Sequence, residues 1–354
     1  MKKLKNILNE IFIEGLSGMA TGLFATLIIG TIIQQIGSIV PGVIGDMLYI
    51  IGKVAASVTG VGIGCGVAVR FKESPLVIMS AATSGMIGAF ASKLLSGQVL
   101  VDGVICYAGP GEPLGAFIAA IAGIYVGRAV FGKTKADILI TPLCSILTGS
   151  TVGLIFGPPI SAFMVFLGNI INIATEQQPF FMGVLVSVLM GIALTLPISS
   201  AALGVILNLS GLAAGAATAG CCANMVGFAV ASYRENKVNG LFAQGLGTSM
   251  LQIGNIVRKP IIWLPAIISS AILGPLSTMV FKMSNNATGS GMGTAGLVGQ
   301  ITTYQTMVQE ADGGMVLIKI LLMHIVLPAL LSFGISEFMR KKGWIQDGDM
   351  VLKV

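Results

Sequence analysis

Charge is what this chain has least of: Asp, Glu, Lys and Arg together make up 10% of 354 residues, and a single histidine is present. So thin a polar surface cannot cover a water-soluble domain of this length, and 55% hydrophobic residues with a mean hydropathy of +0.93 assign the solvent instead. The chain is an integral membrane protein. The five cysteines, Cys65, Cys106, Cys144, Cys221 and Cys222, have neither CxxC spacing nor a histidine partner. That excludes a metal or redox site and leaves small packing residues; no metal and no cofactor is expected. A long polar stretch is missing too. The longest, 282–314, is too short and too rich in Gly, Ser, Thr and Asn to build a core. One transmembrane domain over 1–354, with no appended soluble domain, is expected. Residues 1–14 carry three Lys and two Glu without a small-residue cleavage site, so they read as a mature cytoplasmic N-terminus.

What the chain has is hydrophobic runs. A helix needs roughly 17–25 apolar residues to span hydrocarbon, and that length predicts an all-α fold of about ten spans. They fall near 17–38, 43–69, 75–94, 113–131, 136–156, 159–175, 180–197, 211–232, 260–281 and 315–338. Lys and Arg gather in cytoplasmic loops. With the N-terminus inside and ten alternating spans, the inner side receives 16 of the 20 basic residues, from Lys2 through Arg70, Arg128, Arg234 and Lys259 to Lys353. Both termini are therefore expected in the cytoplasm, with the protein multi-pass in the membrane. The net charge of +6 is a topology signal and an attraction to anionic lipid, not a nucleic-acid footprint.

Glycine is abundant, 48 residues, and most of it predicts close helix packing through small-residue faces, as in Gly211–Gly220. Glycine carries a sharper meaning where it coincides with Pro and polar side chains. Freed backbone groups at membrane depth survive only when buried by protein or lining a cavity. Three segments qualify. In 99–115, the pentapeptide Gly109-Pro110-Gly111-Glu112-Pro113 follows Asp102 and Tyr107, and we read a re-entrant hairpin that delivers Glu112 to the interior. The alternative is an outer loop whose Pro113 starts the next helix. In 196–211, Pro197 ends a span, and a second re-entrant element offers Ser199, Ser200 and Asn208. The alternative is a Pro-kinked helix and a tight loop. In 284–304, close-set glycines lack the preceding strand of a nucleotide fingerprint, leaving an outer lid, a dip into the vestibule or a flexible outer loop.

Other buried polar residues admit two roles. Asp46 and Lys53 are seven apart on one helix face and are expected to neutralise each other. His324, in the last apolar run, either binds substrate or packs. Asn169, Asn172, Asn208 and Asn224 bridge helices. A faint internal echo, Ala81–Gly85 against Ala216–Gly220, fits a transporter built from repeated halves.

The GPGEP element, the ten-span count, the inside termini and the two broken segments resemble the enzyme IIC membrane subunit of bacterial phosphotransferase-system sugar transporters. The resemblance is to the type 2 single-domain branch, which includes regulators of the perfringolysin-regulator type. It implies a homodimer with a scaffold portion and a transport portion, and two re-entrant hairpins enclosing a sugar. By that resemblance Glu112, flanked by Gly111 and Pro113, hydrogen-bonds sugar hydroxyls; His324 does not map onto the family's histidine. No phosphoacceptor domain is present, so any phosphorylation needs separate EIIA and EIIB partners, and the chain has no catalytic site of its own. Aromatics are scarce at 6%, and neither Trp263 nor Trp344 lies beside a broken segment. A less sugar-like polar solute therefore stays open.

The expected substrate-binding set is Tyr107, Gly111, Glu112, Pro113, Ser199, Ser200, Asn208 and His324. The expected mechanism is alternating access for a small polar solute. Two other readings remain: a membrane sensor that binds without transport, and an ion-coupled secondary transporter that uses Glu112 or His324.

Overall fold

The structure, a computed structural model, describes residues 7–101, 103–107, 109–175, 177–207, 209–309 and 311–352. Asp102 and Asn208 lie outside the described residues, as does the side chain of Asn172. The described residues are mostly helical, with one two-stranded hairpin among them: α1 Ile7–Ile39, α2 Val43–Ser57, α3 Thr59–Arg70, α4 Pro75–Ala89, α5 Ala91–Leu95, β1 Leu100–Val101, β2 Val104–Ile105, α6 Pro113–Val130, α7 Asp137–Thr175, α8 Pro179–Thr195, α9 Ser200–Ile206, α10 Gly211–Ala231, α11 Tyr233–Phe242, α12 Ile253–Arg258, α13 Pro260–Val280, α14 Ala287–Ser290, α15 Val298–Met307 and α16 Gly313–Lys341. Among the described residues six helices are long and apolar enough to cross a bilayer. The α2–α3 pair, bent by 52°, makes a seventh, and α4 and α8 are shorter apolar helices.

Outward-facing Ile, Leu, Val and Met are the rule on several helices; Val43, Ile44, Met47, Ile50, Ile51 and Val54 are all exposed along α2. A surface of that kind fits lipid and not water. The chain is a multi-pass, all-α membrane protein. It divides into two compact units, Met1–Met164 and Val165–Lys353, apart from the terminal residue.

Glycine sets the packing of the first unit. Along α1, Gly18 faces Gly66, Gly22 faces Gly62, Gly30 faces Gly52 and Gly37 faces Gly45, and a Cβ at any of these would run into the opposite backbone. Partner numbers fall as those of α1 rise, so α1 runs antiparallel to the bent α2–α3 rod. The same logic joins Gly60 to Gly85 between α3 and α4, and Gly88 to Gly115 between α4 and α6.

At one end of this unit Arg128 meets Glu10 at 2.7 Å and Glu73 at 2.5 Å, and Arg70 meets Glu14 at 2.8 Å. These pairs explain a correction. The first span, expected from residue 17, begins at Ile7, because Glu10 and Glu14 are neutralised by cations from the ends of α3 and α6. A second correction concerns α7. The runs 136–156 and 159–175 form one 39-residue helix containing Pro142, Pro158 and Pro159, since a proline removes one helical hydrogen bond and does not by itself end the helix. Asp46 and Lys53 both lie exposed on α2, and no ion pair joins them among the described residues.

The second unit is built around α10, whose most apolar window is 89% buried against 33% for α16, making it the central post. Gly191 of α8 approaches Gly220, Ser187 also faces Gly220, and Thr195 bonds Asn224. Here partner numbers rise together, so α8 and α10 are parallel. α13 is antiparallel to both, with Ser270 at Asn224 and Gly274 at Gly183.

The tail after α16 turns at Gly343 (φ 72°) and folds back as a strap. Ile345 and Met350 bury themselves among Phe228, Ile256, Ile262 and Met339. Asn236 and Gln252 donate to the Met350 carbonyl at 2.8 and 3.0 Å, Asn255 donates to that of Val351, and Lys259 pairs with Asp349 at 2.6 Å. Burying two such side chains contributes about 1.5 to 3 kcal/mol each. Deleting residues 343–354 is expected to speed amide exchange across 243–258 while α4 and α6 stay protected. Unchanged exchange in 243–258 would show that the strap does not hold that segment.

Candidate functional site

Two parallel neighbours joined in sequence require a return path, and that requirement builds the site. α8 enters beside the far end of α13, where the Thr278 hydroxyl donates to the Pro179 carbonyl at 2.8 Å. It ends at the level of Asn224, thirteen residues into α10 and so about 20 Å along it at 1.5 Å per residue. The chain must climb back over 196–210 to begin α10. Pro197 stops α8, the short α9 makes part of the ascent, and Ser200 Oγ donates to the Gly291 carbonyl at 2.7 Å. This is the second broken segment, and it enters and leaves at one end of the unit.

The third segment, 284–304, dips as well. Asn285 sits beside the start of α10, with its backbone bridged to Gly211 and its amide donating to Thr218 Oγ1 at 2.8 Å. Gly293 presses on Cys221, and Thr294 Oγ1 donates to Met225 Sδ at 3.5 Å, so the tip reaches the depth of Asn224 before α15 turns back. Of the readings open from the sequence, the dip is the one observed.

A further inward segment, 243–258, escaped the sequence reading. It leaves and rejoins the opposite end of the unit, between α11 and α13. Gly245 touches Ala229, and Ser249 Oγ lies 2.8 Å from Thr195 Oγ1. Residues 295–297 pack on 243–247. Its signal was legible: Val238–Val257 holds no charged residue and is bracketed by Lys237 and Arg258. Low hydropathy hid it, because Gln244, Ser249 and Gln252 are polar yet wholly buried.

Three tips therefore meet at one depth. Asn224, on the central helix, uses its full hydrogen-bonding capacity there. It donates to the Gly220 carbonyl and to Ser270 Oγ, both at 3.1 Å, and accepts from Trp263 Nε1 at 2.8 Å and from Thr195 Oγ1 at 3.1 Å. Trp263 is thus beside a broken segment after all, because the start of α13 leans on the end of α8. Every side chain at this crossing is neutral.

His324, fully buried on α16, has Nδ1 3.3 Å from Gln300 Nε2 of α15, and Gln300 also reaches Cys222 Sγ at 3.4 Å. Ser199 and Ser200 are buried at the head of α9. The second unit thus collects Ser199, Ser200 and His324 around the 285–300 loop, while Asn208 lies outside the described residues.

The remaining expected residues belong to the first unit. Within the 99–115 segment, read from the sequence as a re-entrant hairpin, Leu100 pairs with Ile105 in a β-hairpin, glycines 103, 109 and 111 take positive φ, and Pro113 opens α6 as in the outer-loop alternative. Glu112 is the residue ahead of α6 and its N–H donates to the Ala89 carbonyl at 2.7 Å; Oε1 is shut from solvent. Gly111 leaves no room for a side chain against Ala89 and Phe90, and the Tyr107 ring lies 4.7 Å from that of Phe90. Tyr107, Gly111, Glu112 and Pro113 therefore form one cradle at the α4–α6 end. Cys106 is exposed, unlike the expected packing cysteine. Among the described residues no three of His, Cys, Asp and Glu come together to hold a metal.

The family model described as Phosphotransferase system, EIIC matches residues 13–352. No curated protein matches the chain.

Asn224→Leu keeps the branched outline and strands the Trp263 N–H, a buried donor that costs about 1 to 3 kcal/mol when unmet. The variant is expected to melt well below wild type, and Ser249→Ala by much less. Equal melting of Asn224→Leu and wild type would remove Asn224 as the anchor of the crossing.

Proposed function

Because the chain belongs to the phosphotransferase-system EIIC family, we propose that it carries a sugar across a bacterial plasma membrane by alternating access, with phosphoryl transfer supplied by separate EIIA and EIIB proteins. EIIC members are membrane subunits that translocate sugar, and a sugar substrate and EIIA/EIIB partners go with the family in general. The observation that carries the mechanism is the meeting of three non-crossing segments at the depth of Asn224. Irregular backbone at membrane depth is tolerated where it lines a solute path, and opposed tips can open one at a time. The neutral amides and hydroxyls at the crossing match the hydroxyls of a sugar, and Trp263 supplies an aromatic face.

In this reading Glu112, set in the GPGEP cradle, accepts hydrogen bonds from sugar hydroxyls, with Tyr107, Gly111 and Pro113 shaping its surroundings. Ser199, Ser200, Asn208 and His324 serve the solute from the second unit. The protein is a homodimer with both termini cytoplasmic. Supporting that orientation, the starts of α1 and α4 gather with the ends of α3 and α6 in one ion-pair cluster, and the end of α16 gathers with α11 and the approach to α13 in another.

Uptake into proteoliposomes tests the proposal. Sugar accumulation is expected only when EIIA, EIIB and a phosphoryl donor are enclosed with the protein. Uptake without them indicates an ion-coupled carrier, and binding without flux indicates a sensor; either outcome defeats the proposal. Glu112→Gln is expected to weaken sugar binding roughly ten- to hundredfold, from about 1.5 to 3 kcal/mol per charge-assisted bond. Normal transport by that variant would take Glu112 out of the site.

A further inference from the structure

Three polar atoms on α15 and α16 are buried in the second unit without a hydrogen-bond partner: Gln300 Oε1, Thr303 Oγ1 and His324 Nε2. The residues bearing them are 8%, 0% and 0% exposed, so bulk water does not serve them. Gln300 and Thr303 are three apart on α15 and share one face of that helix. Gln300 bridges to His324 through its amide nitrogen. An unmet buried polar group is costly, because it has given up water and gained nothing in return. Three such groups around one bridge are a standing penalty that a well-packed helix pair would shed by simple substitution.

The chemistry of the three atoms narrows their guest. With the Gln300 amide donating to Nδ1, the neutral imidazole carries its proton on Nε2 and presents a donor. Gln300 Oε1 is an acceptor only, and Thr303 Oγ1 can do either. An anion would be repelled by the Gln300 carbonyl, and a cation would meet the imidazole N–H. Hydroxyl groups, each donor and acceptor at once, suit all three, and separate hydroxyls of one sugar can meet the Gln300 side and the Nε2 side of the ring. We propose that Gln300, Thr303 and His324 form a hydroxyl-recognising subsite on α15 and α16 that helps to set which sugar the protein takes. The proposal rests on the translocation reading and adds to it residues that select among solutes.

The neighbourhood supports a site that fills and empties. Gln300 follows the tip of the dipping 284–297 segment by three residues, and Gly299 lies against the Gly293 carbonyl, so a shift of that tip moves Gln300 directly. Ser290 and Gly291, on the same segment, contact Cys221 and Ser200. Movement of the tip thus changes the subsite and the head of α9 together.

The test uses the full-length protein in lipid nanodiscs, melted with and without a panel of glucose, mannose, fructose, mannitol, glucitol and galactitol. Thr303→Val and His324→Phe each replace an unmet group with an apolar one of similar shape. If the groups exist for a solute, the ligand-free variants are expected to melt higher than wild type while binding its preferred sugar at least about tenfold more weakly. Thr303→Ser, which restores the hydroxyl, is expected to bind as wild type does. Unchanged affinity in Thr303→Val and His324→Phe overturns the subsite, whatever their stability. Weaker binding accompanied by a lower ligand-free melting temperature assigns the atoms to the framework and overturns it too. A wild-type chain that binds no member of the panel defeats the translocation reading instead.

Discussion

Backbone N–H and C=O groups have no water to turn to inside a bilayer, and this constraint governs the second unit. A chain that reverses at mid-depth frees several such groups at once, and they must be met by protein. Here the reversals at 196–200, 243–253 and 290–297 all stand against one helix, α10, and the short side chains of α10 let them approach. Its sequence from Gly211 to Gly220 contains nothing larger than Leu212. Where backbone cannot pair with backbone, Ser, Thr, Asn and Gln make up the difference, as when Ser200 caps the Gly291 carbonyl or Asn285 bonds Thr218. The polar residues of the unit are therefore a consequence of the reversals before they are a binding surface.

The first unit answers the same constraint differently. Its helices satisfy their own backbone and gain stability from close approach, glycine against glycine along α1 and the α2–α3 rod. Its charges are kept to the end where Arg70 and Arg128 gather their carboxylates. Glu112 lies away from that cluster, at the α4–α6 end, beside the glycines of positive φ. The echo between Ala81–Gly85 and Ala216–Gly220 has a shared physical content: Gly85 admits the backbone of α3 and Gly220 admits that of α8.

Much of this was legible before any coordinates. The solvent, the helical class and most span positions follow from hydropathy, and Pro197 with Ser199 and Ser200 marked a reversal correctly. What was hidden shares one cause: side chains whose polarity is cancelled at long range. Glu10 and Glu14 looked like the end of a span because Arg128 and Arg70 lie more than fifty residues away. The 243–258 segment looked like a loop because Gln244 and Gln252 find each other, Ser232 and the carbonyl of Met350. Trp263 looked remote from every broken segment until α13 brought it to Asn224. Sequence distance conceals such pairings, and single-residue hydropathy misprices them.

The two packing modes differ in how they yield. Glycine seams hold backbone against backbone, and sliding one helix past another would drive carbonyls into Cα positions all along the contact. The re-entrant tips are held by individual side-chain hydrogen bonds, which in membrane interiors are worth about 0.6 kcal/mol each on average. The Thr195–Ser249 contact is one such bond. Breaking it leaves Thr195 its alternatives, the Gly191 carbonyl and Asn224 Oδ1, so the tips can part without stranding the Thr195 hydroxyl. The strap, by contrast, fixes the base of 243–258 through several hydrogen bonds and two buried side chains. The bonds at the tip of 243–258 are therefore fewer and weaker than those that hold its base.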